Sequence, residues 1–100
     1  MALGAIARIT VQDGKNEEFE TLFLGLIEQV LAYEEGALMY ALMYALMRSK
    51  SNPQKYVVME QYRSAADIEA HGKTDYFLEA SKAMAGLVTT APIIEVLDVL

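Results

Sequence analysis

Between Tyr56 and Phe77 the side chains change from one period to another within a few residues, and that change limits what the rest of the chain can become. Tyr56, Val58, Glu60 and Tyr62 alternate with Lys55, Val57, Met59 and Gln61, the period of a strand with two unlike faces. One face carries a carboxylate and two phenols. Ser64, with Asp67 three positions on, is a capping-box-like start, so Ala65 to His71 is predicted as a short helix stopped by Gly72. His71, the only histidine, then lies at the C-terminal end of a helix that follows directly on a carboxylate-bearing strand.

The flanking segments supply partners for that unit. Ala5 to Val11 alternates loosely, with Ile6, Arg8 and Thr10 on one side and Ala5, Ala7, Ile9 and Val11 on the other, and is predicted as the first strand. Asp13-Gly14 breaks it. Phe19, Leu22, Phe23, Leu26, Ile27, Val30 and Leu31 then fall at helical spacing, the stripe of an amphipathic helix. Glu17, Glu18 and Glu20 suit the positive end of its dipole, whereas Glu34 and Glu35 oppose the other end and Gly36 supplies the stop.

Residues 37–47, ALMYALMYALM, are a four-residue unit repeated twice and then truncated. Helix propensity alone would carry the first helix through them. Gly36 before the repeat and the turn-rich SKSNP after it argue otherwise, and an even period keeps Leu38, Tyr40, Leu42, Tyr44 and Leu46 on one face of a strand. A strand is therefore predicted here, followed by a hairpin loop over Ser49 to Pro53 and a third strand over Gln54 to Tyr62.

After the short helix, Thr74 caps a further one that turns Phe77, Ala80, Ser81, Met84 and Leu87 or Val88 inward, ending at Thr89-Thr90 and Pro92. Ile93 to Leu100 is the fourth strand. The order β-α-β-β-α-β predicts an α+β, ferredoxin-like subunit with helices on one face of an antiparallel sheet. The other face is largely apolar, so a second copy is expected to cover it, making a homodimer and a dimeric α/β barrel.

One hundred residues, 54% of them hydrophobic, suit a single domain over 1–100. A net charge of −6 argues against nucleic acid and anionic membranes, which need Lys and Arg clusters. With no cysteine and one histidine, a thiolate nucleophile is excluded and a transition-metal site is not expected. The longest apolar run, Ala37 to Met47, falls short of the roughly 20 residues of a membrane span. No basic, apolar leader opens the chain, and a cytoplasmic location is expected. Gly-rich phosphate loops, GxSxG and GxGxxG do not occur.

IARITVQDGKNEEF at the start, EEGALMY after the first helix, NPQKYVVMEQYRSAADIEAH in the middle and KTDYF followed by PIIEVL together resemble the antibiotic-biosynthesis monooxygenase family of small dimeric α+β barrels. The resemblance implies a small-molecule cleft between sheet and helices and, as in several members, oxygenation of aromatic or quinol-like substrates with no bound cofactor. One ALMY unit is extra against the family's usual spacing from Gly36 to Pro53, which reads as a tandem duplication. Haem-degrading members need an asparagine, a tryptophan and a histidine where this chain has Ala7, Tyr62 and Ser81 or Lys82, so haem degradation is not expected. AH-x-x-T, here Ala70-His71-Gly72-Lys73-Thr74, is similar to the quinol-monooxygenase-like members and to the autoinducer-2 processing isomerases.

His71 reads either as a general base near neutrality or as a water-exposed helix-end residue. Glu60 needs a partner if buried, and Arg8, on the neighbouring strand, is the expected one, as a structural pair or as part of a substrate site. Tyr56, Tyr76 and Phe77 read as the lining of an aromatic pocket or as ordinary core. In the catalytic reading His71 and Tyr62 act on a small-molecule substrate that Arg8, Glu60, Tyr76 and Phe77 bind. The opposing reading is a non-catalytic dimeric barrel, a binding or stress-response module.

Overall fold

The structure, a computed structural model, describes residues 2–34 and 45–100. Among these residues the elements run β1 (Leu3–Thr10), α1 (Asn16–Tyr33), β2 (Ala45–Arg48), β3 (Lys55–Tyr62), α2 (Ala65–Gly72), α3 (Asp75–Ala85) and β4 (Ile93–Asp98). The sheet order β2-β3-β1-β4 is antiparallel throughout, the ferredoxin-like arrangement that the order of periods predicts. Most of the strand expected over 37–47 lies outside the described residues. Its last part is present in β2, where Leu46 opposes Val58 and Met47 opposes Val57.

The helix stripe lands as its spacing requires. Phe19, Phe23, Leu26 and Val30 of α1 are buried against Ala7 and Ile9 of β1 and Val58 of β3, with Leu22, Ile27 and Leu31 packed around them. Ala80 and Met84 of α3, then Leu87 and Val88, complete that core. Val11 makes an isolated bridge to Val88 and closes β1 onto the end of α3.

Polar contacts fix how α1 lies on the sheet. Tyr56 is buried and its hydroxyl donates to Glu20, whose carboxylate also accepts from Arg48 of β2 at 3.0 Å. Burial, with Glu20 beside it, raises the Tyr56 phenol above its usual range. The helices cover one face of the sheet. The opposite face carries Met47, Met59, Ile93 and Leu97, all exposed, while Ile94 and Val96 of β4 point to the helical side and are exposed as well.

Candidate active site

The site forms where α2 returns the chain to the sheet. Ser64 leaves β3 extended and accepts the Asp67 N–H at 3.4 Å, which starts the helix, and Arg63 clasps Asp67 through two hydrogen bonds of 2.9 Å. Two turns later His71 is carried under the end of α1. Thr74, the cap of α3, donates to the His71 carbonyl at 2.9 Å and accepts from the Phe77 N–H, so α2, the turn and α3 act as one bracket.

His71 is 6% exposed, which removes the reading of a water-exposed helix-end residue. Its Nδ1 lies 2.9 Å from both carboxylate oxygens of Glu34, and its Nε2 lies 4.0 Å from Glu60 Oε1. Its ring packs on Phe77 at 4.6 Å and on Tyr62 at 5.5 Å between centroids. The two phenols feed the two carboxylates: the Tyr62 hydroxyl donates to Glu60 at 2.7 Å and the Tyr76 hydroxyl donates to Glu34 at 2.5 Å. An imidazole thus stands between two carboxylates, each supported by a tyrosine.

The electrostatics follow from this enclosure. Burial raises the Glu60 carboxyl above its ordinary value; the Tyr62 hydrogen bond and the nearby imidazole act against that shift, and Glu34 adds to it. Tyr76 is pushed up to about 12 by desolvation and by the carboxylate it serves.

Beside His71, between sheet and helices, is a cavity of about 250 Å³. Ala5, Ala7 and Ile9 form its floor, and the two alanines on the central strand leave the room. Phe23, Ile68, Phe77 and Met84 wall it from above, Ser81 adds a hydroxyl, and Glu60 and His71 are its ionisable lining among the described residues. The rim at Ile94 and Val96 is open. An apolar chamber with a base and a carboxyl on one wall suits a small, largely apolar molecule bearing an acidic proton.

Of the residues singled out from the sequence, Glu60, His71 and Phe77 line this cavity, whereas Tyr62 and Tyr76 stand behind it as hydrogen-bond donors. Tyr56 belongs to the core at the Glu20 cluster. Arg8 is a correction. Register sets Ala5 opposite Glu60 and Arg8 opposite Val57 and Ile93, so Arg8 and Glu60 emerge on opposite faces, and Arg8 meets Glu95 at 3.5 Å in solvent. The expected Arg8–Glu60 pair does not form, and Arg8 takes no part in this cavity.

Glu34 is the residue that sequence reasoning missed as a site member. Its signal was a carboxylate at the helix end whose dipole opposes it, a placement that asks for a compensating donor. His71 and Tyr76 supply two. No cluster of His, Cys, Asp and Glu able to hold a metal occurs among the described residues. None of their helices is long and apolar enough to cross a membrane.

Residues 2–83 match the family model for antibiotic biosynthesis monooxygenases. A Caulobacter crescentus protein provisionally named as such a monooxygenase superposes with a TM-score of 0.91 at 41% identity, over 99% of this chain and 90% of that one. One from Nitrosomonas europaea, provisionally named likewise, gives 0.90 at 21% identity over 99% and 90%. A Pseudomonas aeruginosa protein gives 0.82 at 28% over 99% and 94%. No curated protein matches the chain.

Proposed function

The chain belongs to the antibiotic biosynthesis monooxygenase family, and from that premise we propose that it oxygenates a small phenol or quinol directly with dioxygen, without a bound cofactor. The observation that carries this reading is the buried imidazole on the wall of an apolar cavity, with Glu60 on the same wall. An engineered apolar cavity of about 150 Å³ holds a benzene ring, so about 250 Å³ suits one substituted ring or two fused ones.

His71 Nε2 takes the proton of the ring hydroxyl, and enclosure by apolar walls favours spreading the resulting charge into the ring. The phenolate reacts at a ring carbon bearing hydrogen and adds dioxygen there. The peroxide formed takes the proton from His71 to become a hydroperoxide. Loss of water then carries away that carbon's hydrogen and the outer hydroxyl, leaving a carbonyl. One oxygen atom enters the quinone product, the other leaves as water, and the substrate supplies all four electrons. Glu60, close to Nε2 and with its proton affinity raised by burial, is the second group able to hold a proton during that loss. Phe77 packs on the imidazole and flanks the ring's position.

The reading includes a cytoplasmic homodimer, supported by the uncovered apolar side chains of β4 and of the outer sheet face. The test is oxygen uptake by the purified protein on a panel of one- and two-ring quinols and phenols, with a metal chelator present. One oxygen atom gained by the substrate per dioxygen consumed is expected, and His71→Ala is expected to lower the rate by about two orders of magnitude or more. Uptake no faster than the uncatalysed oxidation, or a rate that survives His71→Ala, overturns it.

A further inference from the structure

We infer that Glu34 is a positioning residue for His71, holding the imidazole as the Nδ1–H tautomer so that Nε2, on the Glu60 side, keeps the lone pair. Three observations carry this. Both oxygens of Glu34 lie 2.9 Å from Nδ1, a forked approach that fixes the plane of the ring as well as its position. The side chains are 7% and 12% exposed, so water does not compete for either group. Tyr76 donates to the same carboxylate at 2.5 Å, and a phenol is a donor to a carboxylate, never the reverse, which keeps Glu34 an acceptor toward the ring.

The hydrogen therefore belongs on Nδ1. A neutral imidazole has one N–H, so the other nitrogen is the base. Free histidine in water favours the opposite tautomer, and its hydrogen would then sit on the atom meant to accept the substrate's proton. Among the described residues, Glu34 at the end of α1 and Glu60 and Tyr62 of β3 face the ring, and Tyr76 of α3 reaches it through Glu34. Of these, Glu34 lies at hydrogen-bonding distance of Nδ1. The residue also ties the end of α1 to α2, so the geometry of the base depends on where the first helix stops.

As a contribution to catalysis this rests on the oxygenase reading; as a statement about the ring it does not, and the experiment separates the two. The chain has one histidine, so ring-nitrogen NMR of the histidine-labelled protein gives a single, self-assigned pattern. At a pH where the ring is neutral, the wild-type pattern is expected to be that of the Nδ1–H tautomer. Glu34→Ala is expected to move the hydrogen to Nε2, and Glu34→Asp, which keeps the acceptor, to retain the wild-type pattern in part. On a quinol that the wild type turns over, Glu34→Ala is expected to lower kcat by about two to four orders of magnitude with KM changed less than about threefold, the size of effect an orienting carboxylate has on a catalytic imidazole. A wild-type ring carrying its hydrogen on Nε2 overturns the inference whether or not any variant folds. So does an unchanged pattern in Glu34→Ala. A ring in the expected tautomer in a protein that oxidises no quinol sinks the oxygenase reading and leaves the assignment of Glu34 standing.

Discussion

Burial holds the Glu60 carboxyl above its ordinary value of 4.5, against the opposing pull of the Tyr62 hydrogen bond and the His71 imidazole. The consequence for stability has a definite sign. A carboxyl that binds its proton more tightly folded than unfolded favours the folded state fully below pH 4.5, and that contribution is lost as pH rises through the folded value. Above it, the folded protein must keep a desolvated charge. Glu60→Gln keeps an oxygen to accept from Tyr62 and removes the charge, so the variant is expected to melt above the wild type at pH 8, with the gap closing toward pH 4. Calorimetric melts across that range check it, and a variant that melts lower at every pH contradicts it. Such a stabilising change at a position lining the cavity is what a site that trades stability for chemistry produces. Tyr76 behaves differently. Pushed up to about 12, it remains a protonated donor to Glu34 throughout the working range.

Elements were legible from period and caps because each of those signals is local. Phe19 to Val30 recur at helical spacing within one helix, Ser64 with Asp67 and Thr74 with Phe77 each sit within one turn, and their hydrogen bonds or burial follow in place. What joins elements was not legible. Whether Arg8 shares a face with Glu60 depends on register between strands about fifty residues apart, and a slip of one residue reverses the answer. Glu34 reaching His71 depends on where α1 stops relative to α2, which no local spacing encodes. The repeat is the opposite case, too regular to define its own register: the preceding unit offers β3 the same Ala, Leu and Met, with Tyr44 in place of Arg48, and the ALM of the last unit is what pairs there. Deleting residues 41–44 therefore leaves β2 the same neighbours and shortens the chain between α1 and β2. The deletion is expected to fold with stability changed by less than about 1 kcal/mol, since shortening a connection by four residues changes its closure entropy by only a few tenths. Chemical denaturation of both proteins measures this, and a loss of several kcal/mol would mean that the extra unit carries contacts of its own.

At the scale of the whole molecule, β4 is the part that a lone subunit does not explain. Ile93 is 66% exposed, Ile94 63% and Val96 56%, on alternate faces of one strand, and Met47 and Met59 extend the apolar surface across the outer face of the sheet. Isolated exposed apolar side chains are ordinary, but a strand uncovered on both faces at the edge of a sheet invites association. In the proposed homodimer, covering side chains of this size contributes roughly 1 to 2 kcal/mol each, a gain set against the several kcal/mol that association costs. The same strand rims the cavity through Ile94 and Val96, so association at β4 also alters access to His71. Light scattering on the eluting protein is expected to give twice the subunit mass of 11.1 kDa. Ile93→Lys, which places a charge on the outer face at the edge strand beside Arg8, is expected to yield a subunit-sized species with an unchanged far-UV spectrum. A wild type that elutes at the subunit mass at high concentration removes the dimer, and with it the reason for β4 to be apolar on both faces.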